Sequence, residues 1–594
     1  MCGIAGILKF VSKISDNEAN QMLDLRDEMA NRGPDSYGYW MSKEKSVCFV
    51  HRRLSIIDLS DKASQPMEDQ GRRFAIVFNG EIYNYKELRD YLHKNKIQLF
   101  SNSDTEVILE LYKLEGINSL SKIRGMFAFA IWDEHEQKMF LARDPLGIKP
   151  LYYYYDNQKF IFSSQVKPLS KMLYSKLTRD PAGEVGFYLW GHIPEPYTIY
   201  NEIKGLEAGN YLLIQNNQIA IKNYFNLRDM VLDAIHRNKQ FDENGSLEYY
   251  LREKALDTIR HHLISDVSVS VFLSSGIDSA TITALASEIS DEIKTITLGF
   301  EEYKDSEKDE TVLANLISKV YNTTHFEEWI NKEKMQNELE RIFVVMDQPS
   351  IDGINTYFIS KAAKNIGVKV ALSGLGGDEI FGGYPDFNQI PKIVSISKYL
   401  KLLGKFNFLF KPLIKNSKNT YFSHKYAELI RYSDSYVKAY ILRRALYMPD
   451  EIAVIIGEET FNKGWEKLNV IENLTYQIQD IENEHIIISI LELSNYMKNQ
   501  LLRDSDWAGM SYSLEIRTPL VDVEFIKAII SIIIQKKINK KMFSSTPAIP
   551  LPPKILNRKK TGFNIPVRDW LIEKENQNER GLRGFSKYVF NRFN

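Results

Sequence analysis

Cysteine is nearly absent from this 594-residue sequence, which contains only Cys2 and Cys48. Two cysteines cannot build a disulfide framework in a chain of this size, so the sequence is typical of a reducing compartment and we expect a cytoplasmic location. A secretory signal is not recognisable either, because the apolar first ten residues carry neither a basic segment nor an adequate hydrophobic segment.

Excess charge and long apolar runs are also missing. Lys and Arg total 76 against 77 Asp and Glu, a formal net charge of -1, so no global field favours nucleic acid or anionic lipid. A membrane span needs a run of about 18 apolar residues, and the longest candidate, at 528–534, is interrupted by Ser531 and followed by Lys536 and Lys537. The sequence therefore predicts no nucleic-acid partner and no membrane partner.

The remaining composition, 44% hydrophobic and 26% charged, is that of an ordinary folded protein. The length leaves room for about four domain-sized units, of which two or three are expected. In the first part of the chain, short β-branched and aromatic runs between turn signals predict a strand-rich α+β domain. These runs lie at 74–78, 126–132, 139–142, 151–155 and 160–163.

A different pattern begins near Leu251. Val267-Ser-Val-Ser-Val-Phe-Leu alternates apolar and polar residues, and the glycine turn that follows leads into a helical run at 280–287. Short strands leading to glycine recur at 294–299 and 368–372. Such alternation predicts a parallel, doubly wound sheet that binds ligands at the carboxyl ends of its strands. Residues rich in Lys, Leu, Ile and Tyr from 389 to 498 are predicted to be helices packed on that sheet.

The first candidate for chemistry is Cys2, because removal of Met1 would leave a free α-amine beside a thiol. An amine with a pKa near ~8 can act as the nucleophile's own base. A lone Cys2 would more often be a small hydrophobic residue, but five motifs follow it. They are Arg53-Leu-Ser-Ile-Ile, Gln65-Pro-Met, Phe78-Asn-Gly-Glu-Ile-Tyr-Asn, Ser103-Asp-Thr-Glu and Arg143-Asp-Pro-Leu-Gly-Ile-Lys-Pro-Leu.

Together these motifs resemble the class II glutamine amidotransferase domain over the first 170 residues. The resemblance implies an N-terminal-nucleophile αββα sandwich, with Cys2 attacking glutamine and with the Asn79 side chain and Gly80 N–H stabilising the oxyanion. Glutamine would be anchored by Arg53 at its carboxylate and by Asp104, the Glu81 backbone and the carbonyls of Ile56 or Ile57 at its ammonium. Alone, Asn79-Gly80 would be a turn and Asp104 a surface charge.

A second constellation, Ser274-Ser-Gly-Ile-Asp-Ser279, lies where a predicted strand ends and a helix begins. Such a loop can bind an anion with its backbone N–H groups, although alone it is equally typical of a helix cap. With Leu298-Gly-Phe, Asp309-Glu310 and Ser373-Gly-Leu-Gly-Gly-Asp-Glu-Ile-Phe-Gly-Gly-Tyr384, it resembles the ATP pyrophosphatase domain of asparagine synthetases. No Walker A motif is present, which favours cleavage to AMP and pyrophosphate over γ-phosphoryl transfer.

This second resemblance implies an ATP site with Mg²⁺ held by Asp278 and Asp378 against the pyrophosphate. The implied ATP-binding residues are Leu273, Ser274, Ser275, Gly276, Asp278, Ser279, Leu298, Ser373 and Gly374. Near the C-terminus, Arg558-Lys-Lys-Thr-Gly-Phe563 resembles the loop that brings a lysine to the reacting phosphate, which implies a catalytic role for Lys560. As a bare charge run, the lysine-rich stretch 536–560 would be a solvated face.

Both resemblances lead to one expected reaction, in which glutamine, ATP and a carboxylate give glutamate, AMP, pyrophosphate and a new amide. Three residues depart from the common pattern of the family: Ser275, Gln165, and Leu375, where a glutamate of the acceptor site is expected. Aspartate is the favoured acceptor, another carboxylate such as a uronic acid or a peptide-like precursor is the alternative, and a non-enzymatic paralogue is the third hypothesis.

The expected organisation follows from these motifs. Residues 1–200 form the glutaminase domain, 201–250 a connector that still contains strands, and 251–594 the synthetase domain. The sequence does not define the oligomeric state, and a homodimer is kept as an open alternative.

Overall fold

The first half of the chain is a sandwich of two six-stranded antiparallel sheets. The computed structural model describes residues 2–236, 247–404, 428–429, 431–535, 538–558, 570 and 582–593. The first sheet has the order β10-β8-β9-β1-β3-β2 and the second the order β12-β11-β7-β6-β5-β4. The strands are β1 Gly3–Lys9, β2 Ser36–Met41, β3 Val47–Arg53, β4 Met67–Glu68, β5 Phe74–Ile82, β6 Gly125–Asp133, β7 Lys138–Arg143, β8 Tyr152–Tyr155, β9 Lys159–Ser163, β10 Lys204–Gly205, β11 Asn210–Gln215 and β12 Gln218–Asn223.

Side-chain alternation along the strands explains why the sheets stack and are covered on both outer faces. In β1, Ile4 and Leu8 pack between the two sheets, whereas Ala5 and Ile7 face the helices outside. Both faces of β1 are therefore apolar, as a central strand of a four-layer sandwich requires. The covering and following helices are α1 Asp16–Glu28, α2 Tyr85–Lys94, α3 Asp104–Glu115, α4 Val166–Leu173, α5 Pro181–Trp190 and α6 Leu227–His236.

The segment expected to be a connector is partly built into this sandwich. β10 pairs with β8 in the first sheet, and β11 pairs with β7 in the second. Residues 204–223 thus add strands to both sheets, so the sandwich extends past the boundary expected at residue 200. The sequence predicted strands in this segment but not their pairing with β8 and β7, because pairing between residues far apart in sequence is not encoded in a local pattern.

The second half contains a five-stranded sheet of order β15-β14-β13-β16-β17 in which each neighbouring pair is parallel. Two strands lie on each side of β13, so the chain reverses its winding direction there. In such sheets ligands bind at the carboxyl ends of the strands beside this switch point. The strands are β13 Val269–Phe272, β14 Lys294–Phe300, β15 Thr324–Ile330, β16 Val370–Leu372 and β17 Glu515–Arg517.

Helices cover this sheet and form most of the remaining second half. A π-helical segment, Glu492–Leu502, runs without a break into the helix that begins at Arg503. The α-helices are α7 Leu247–His262, α8 Ile277–Ser287, α9 Thr311–Val320, α10 Lys332–Val345, α11 Ile354–Asn365, α12 Gly377–Phe381, α13 Asp386–Gly404, α14 Tyr436–Arg444, α15 Pro449–Ile456, α16 Glu458–Leu468, α17 Val470–Ile478, α18 Glu484–Leu491, α19 Arg503–Met510, α20 Val523–Ile533, α21 Lys540–Ser544, α22 Pro553–Leu556 and α23 Arg583–Asn591. The two-domain α/β and α+β expectation is confirmed.

The two halves are joined by buried polar contacts and by helix packing. The carboxylate of Asp347 accepts from the N–H groups of Val166 and Lys167, both at 2.9 Å, and so caps α4 from the other half. Helix α16 crosses α5 at Gly464, where an added Cβ would lie 2.3 Å from the carbonyl oxygen of Pro181. The small residue is what allows the two helices to approach this closely.

We expect Gly464→Ala to destabilise the protein although alanine is the better helix former. Alanine would gain about 1 kcal/mol of helix propensity, but overpacking at a backbone contact costs about 1–3 kcal/mol. A thermal melt should show a lower Tm than wild type. The control is Lys463→Ala, because the Lys463 side chain is 65% exposed and should change Tm little. A Gly464→Ala protein as stable as Lys463→Ala would contradict the close packing.

Candidate active sites

The structure brings the predicted glutaminase residues together around one cavity at the start of β1. Cys2 is buried there, its backbone N–H donates to Asn79 Oδ1 at 2.9 Å, and its carbonyl oxygen accepts from Arg32 Nε at 3.0 Å. Burial raises the pKa of the Cys2 thiol, so forming the thiolate needs a nearby base. The cavity is lined by Cys2, Arg53, Leu54, Ile56, Ile57, Ala63, Gln65, Phe78, Gly80, Glu81, Ser103, Asp104 and Thr105.

Asn79 and Gly80 lie side by side in β5, next to the thiol residue. Asn79 is fully buried, and within the described part of the chain its Nδ2 makes no hydrogen bond. A buried amide donor without a partner is unfavourable unless a ligand satisfies it. At Gly80, an added Cβ would lie 2.1 Å from the carbonyl oxygen of Met126, so the close pairing of β5 and β6 requires glycine. The pair has the donor that an oxyanion hole needs.

The two predicted anchors for glutamine are both held by neighbouring backbone. Arg53 donates from Nη1 to the carbonyl oxygen of Ser60 at 3.0 Å and from Nη2 to that of Asp58. Asp104 begins α3, and its Oδ2 accepts from the Ile82 N–H at 3.2 Å. Burial raises the pKa of the Asp104 carboxyl to about 6. Asp104 is therefore largely ionised at neutral pH and can attract an ammonium group.

Glu81 and Ile56 connect this cavity to the second half. The carbonyl oxygen of Ile56 accepts from the Asp266 N–H at 3.0 Å, and Glu81 Oε2 lies 3.0 Å from Arg517 Nη2. Arg517 is fully buried and also pairs with Glu515 at 2.6 Å. The sequence analysis assigned no role to Glu515 or Arg517. The available signal was an alternating pair of opposite charges within a short buried strand.

The second site lies at the carboxyl end of β13, at the switch point of the parallel sheet. Leu273 follows the strand, and in the loop that begins α8 Ser274 Oγ lies 2.9 Å from Ser279 Oγ and accepts from the Gly276 N–H at 3.1 Å. Ser275 is buried in the same loop. The loop thus closes on itself and leads directly into the N-terminus of α8, which is a favourable position for a phosphate group.

The loop after β16 meets this first loop. The Ser373 N–H donates to the carbonyl oxygen of Arg517 at 2.8 Å. An added Cβ on Gly374 would lie 3.1 Å from the Ser279 nitrogen, so the two loops are in close contact. Leu298 is buried in β14, the strand on the other side of β13. The predicted ATP-binding residues therefore lie on two loops that contact each other and on the neighbouring strand β14; we call this region the second crevice.

A lysine that the sequence analysis did not single out lies between the two predicted metal ligands. Lys540 begins α21, and its Nζ contacts the carboxylate of Asp278 and lies 2.5 Å from Asp378 Oδ1. Burial alone would lower the pKa of Lys540, but the two carboxylates outweigh burial and raise it. The pattern had placed Lys540 in a solvated charge run, because a sequence does not reveal which lysine of a run folds inward.

Of the two remaining residues singled out from the sequence, Lys560 and Leu375, the structure describes only Leu375. Lys560 lies outside the described residues, so its position relative to the crevice stays a prediction. Leu375 is partly buried and packs against the main hydrophobic core.

No group of three or more His, Cys, Asp or Glu side chains that could hold a metal ion occurs among the described residues. In the same residues, no helix is both long and apolar enough to cross a membrane.

Comparison with known proteins finds sequence families that match both halves of the chain. The family described as glutamine amidotransferase domain matches residues 1–225, and the family described as asparagine synthase matches residues 250–584. Asparagine synthetase [glutamine-hydrolyzing] 1 of Bacillus subtilis is 31% identical over 98% of this chain and 90% of its own. Amidase chry2 of Gibberella zeae is 28% identical over 65% of this chain and 60% of its own. A solved glutamine phosphoribosylpyrophosphate amidotransferase of B. subtilis, 14% identical, covers 63% of this chain and 81% of its own with a TM-score of 0.29.

Fold and site together define an enzyme that hydrolyses glutamine and forms an amide with the released nitrogen. The chain belongs to the asparagine synthase family.

We expect Lys540→Met to lower Tm because it leaves two neighbouring carboxylates without their shared cation. Hydrogen bonds to charged groups contribute about 1.5–3 kcal/mol each. The matched control is Lys541→Met, which removes the adjacent and exposed lysine. Thermal melts of both variants at neutral pH and low salt should separate them. Equal Tm values would show that Lys540 does not compensate the aspartates in solution.

Proposed function

We propose that this enzyme makes asparagine from aspartate, with glutamine as nitrogen donor and with ATP cleaved to AMP and pyrophosphate. The observation that supports this most strongly is the pairing of two crevices in one chain. One contains a buried thiol beside Asn79 Nδ2, which makes no hydrogen bond within the described residues. The other contains two loops that meet at the carboxyl ends of β13 and β16. A lone hydrolase would need only the first crevice, and a lone adenylylating enzyme only the second.

In the first crevice, the Cys2 thiol attacks the side-chain amide of glutamine after giving its proton to the α-amine. The Asn79 Nδ2 and the Gly80 N–H stabilise the oxyanion, and each such donor typically lowers the barrier by about 3 kcal/mol. The tetrahedral intermediate releases ammonia and leaves a thioester, which water hydrolyses to glutamate. Arg53 orients the glutamine carboxylate, and Asp104, the Glu81 backbone and the carbonyl groups at Ile56 and Ile57 orient its ammonium group.

In the second crevice, the loop at 274–279 and the backbone at 373–374 hold ATP with its α-phosphate facing the acceptor carboxylate. The carboxylate attacks the α-phosphorus and pyrophosphate leaves, after which ammonia attacks the acyl carbon and AMP leaves. The ammonium group of Lys540 already lies between Asp278 and Asp378, so this position suits positive charge. Two carboxylates together with substrate phosphates are a usual donor set for Mg²⁺. When bound, Mg²⁺ would neutralise charge on the pyrophosphate.

The acceptor is the least constrained part of the proposal. Leu375 carries no charge where a glutamate would attract the ammonium of aspartate, and a charge-assisted hydrogen bond contributes about 1.5–3 kcal/mol. Without this hydrogen bond, the affinity for aspartate would be roughly ten- to a hundredfold lower. One relative of this chain, 28% identical over 65% of its length, is named as an amidase. A uronic acid, which has no ammonium group, is therefore the second candidate.

Binding of glutamine should weaken in acid because Asp104 loses its charge. Its pKa of about 6 means that the carboxyl becomes neutral as the pH falls from 7.5 to 5. KM for glutamine should then rise, approaching about tenfold per pH unit below the pKa. In Asp104→Asn, KM should be roughly ten- to a hundredfold higher and flat over the same range. Asp90→Asn, an exposed change on α2, should keep the wild-type profile, and a wild-type profile in Asp104→Asn would contradict this role.

The acceptor is tested by supplying ATP, Mg²⁺ and ammonium with aspartate or with a panel of uronic acids and following pyrophosphate release. We expect slow release with aspartate and a gain of roughly tenfold or more in kcat/KM for Leu375→Glu. Leu375→Gln is the matched control because it is polar and similar in size but uncharged, and it should gain little.

Three outcomes would change the proposal. Release with a sugar acid and none with aspartate favours the second candidate. If the label supplied in ATP appears in ADP and phosphate and not in AMP and pyrophosphate, adenylylation is rejected. The Cys2→Ala variant should lose glutamine-dependent synthesis and keep ammonium-dependent synthesis, and retained glutamine hydrolysis would refute the role of Cys2.

A further inference from the structure

The residue that holds the Cys2 carbonyl belongs to a turn that docks on the second half. We call residues 31–35, between α1 and β2, the arginine turn. Three side chains of the second half contact it. Ser513 Oγ donates to the Asn31 carbonyl oxygen at 2.7 Å, Lys369 Nζ donates to Asp35 Oδ2 at 2.7 Å, and the Asp506 carboxylate accepts from Arg32. The turn is therefore held from outside its own domain.

Arg32 makes three hydrogen bonds that fix its guanidinium in both direction and plane. Nη1 and Nη2 donate to Asp506 Oδ2 and Oδ1 at 2.6 and 3.1 Å, while Nε donates to the carbonyl oxygen of Cys2 at 3.0 Å. The Arg32 and Asp506 side chains are 2% and 4% exposed. A two-pronged contact of this kind restricts a planar guanidinium more than a single hydrogen bond does.

Asp506 also supplies the negative charge that this buried position requires. The Nζ of Lys149, itself fully buried, lies 4.0 Å from Asp506 Oδ1, and burial lowers the pKa of that lysine. Arg32 and Lys149 thus face the same carboxylate. Removing one partner of a buried pair leaves an uncompensated charge, which strongly favours rearrangement of the groups that remain. Without Asp506, we expect Arg32 to turn away from its present direction.

We propose that Asp506, on helix α19 of the synthetase half, is a positioning residue for glutamine hydrolysis that acts through Arg32 on the Cys2 backbone. Cys2 is held on its N–H side by Asn79 Oδ1 and on its carbonyl side by Arg32 Nε. A change in the second contact tilts the thiol relative to the unpartnered Asn79 Nδ2. A displacement of about 1 Å from the reactive geometry can cost about a hundredfold in rate. The inference rests on the proposed role of Cys2 as the nucleophile.

The test measures glutamine hydrolysis by the full-length protein without ATP or acceptor, so the identity of the acceptor does not enter. Asp506→Asn should lower kcat about ten- to a hundredfold while KM for glutamine changes little. Asp506→Glu keeps the charge and should have an intermediate kcat. Ser513→Ala and Lys369→Met remove contacts to the same turn that do not touch Arg32, and both should stay close to wild type.

A double-mutant cycle separates action through Arg32 from a general loss of structure. Combining Asp506→Asn with Arg32→Lys should be no worse than Arg32→Lys alone, because both changes disrupt the same contact. Combining it with Lys369→Met, which removes the contact to Asp35, should be additive. Additive loss with Arg32→Lys, or an unchanged kcat in a folded Asp506→Asn protein, would overturn the proposal. If Asp506→Asn does not fold, an unchanged kcat in a folded Arg32→Lys protein overturns it, because the proposed action passes through Arg32. Hydrolysis that survives Cys2→Ala would instead refute the nucleophile assignment.

Discussion

Arg517 is the residue on which the joint arrangement of the two sites depends. Its buried guanidinium is shared by Glu81, at the edge of the glutamine cavity, and by Glu515. Its carbonyl oxygen holds the Ser373 N–H at the start of the second loop of the ATP crevice. Because separating a buried cation from its carboxylates leaves uncompensated charges, the two crevices are fixed relative to each other.

Other contacts across the same junction reach directly into the glutamine site. Asp266 precedes β13 and holds the loop of Ile56 and Asp58, while Asp506 orients Arg32 beside Cys2. Groups of the synthetase half therefore hold residues that line or adjoin the glutaminase cavity. Such an arrangement suits an enzyme whose intermediate, ammonia, has to stay away from water, because protonation to ammonium would abolish its nucleophilicity.

Charge balance also shapes the ATP crevice. Lys540 lies between Asp278 and Asp378 and offsets one of their two negative charges. The parallel sheet explains why these groups meet: the two aspartates follow β13 and β16, which are neighbours at the switch point.

The sequence by itself determined the fold class and the order of the two sets of motifs, because motif order and strand periodicity are local properties of a chain. The predicted glutamine-binding residues line one cavity, and the predicted ATP loops meet. Only the tertiary structure assigned Arg517, Asp506 and Lys540 to their contacts and added β10 to β12 to the sandwich. Burial and the choice of charge partner depend on residues far apart in sequence, so no local pattern encodes them.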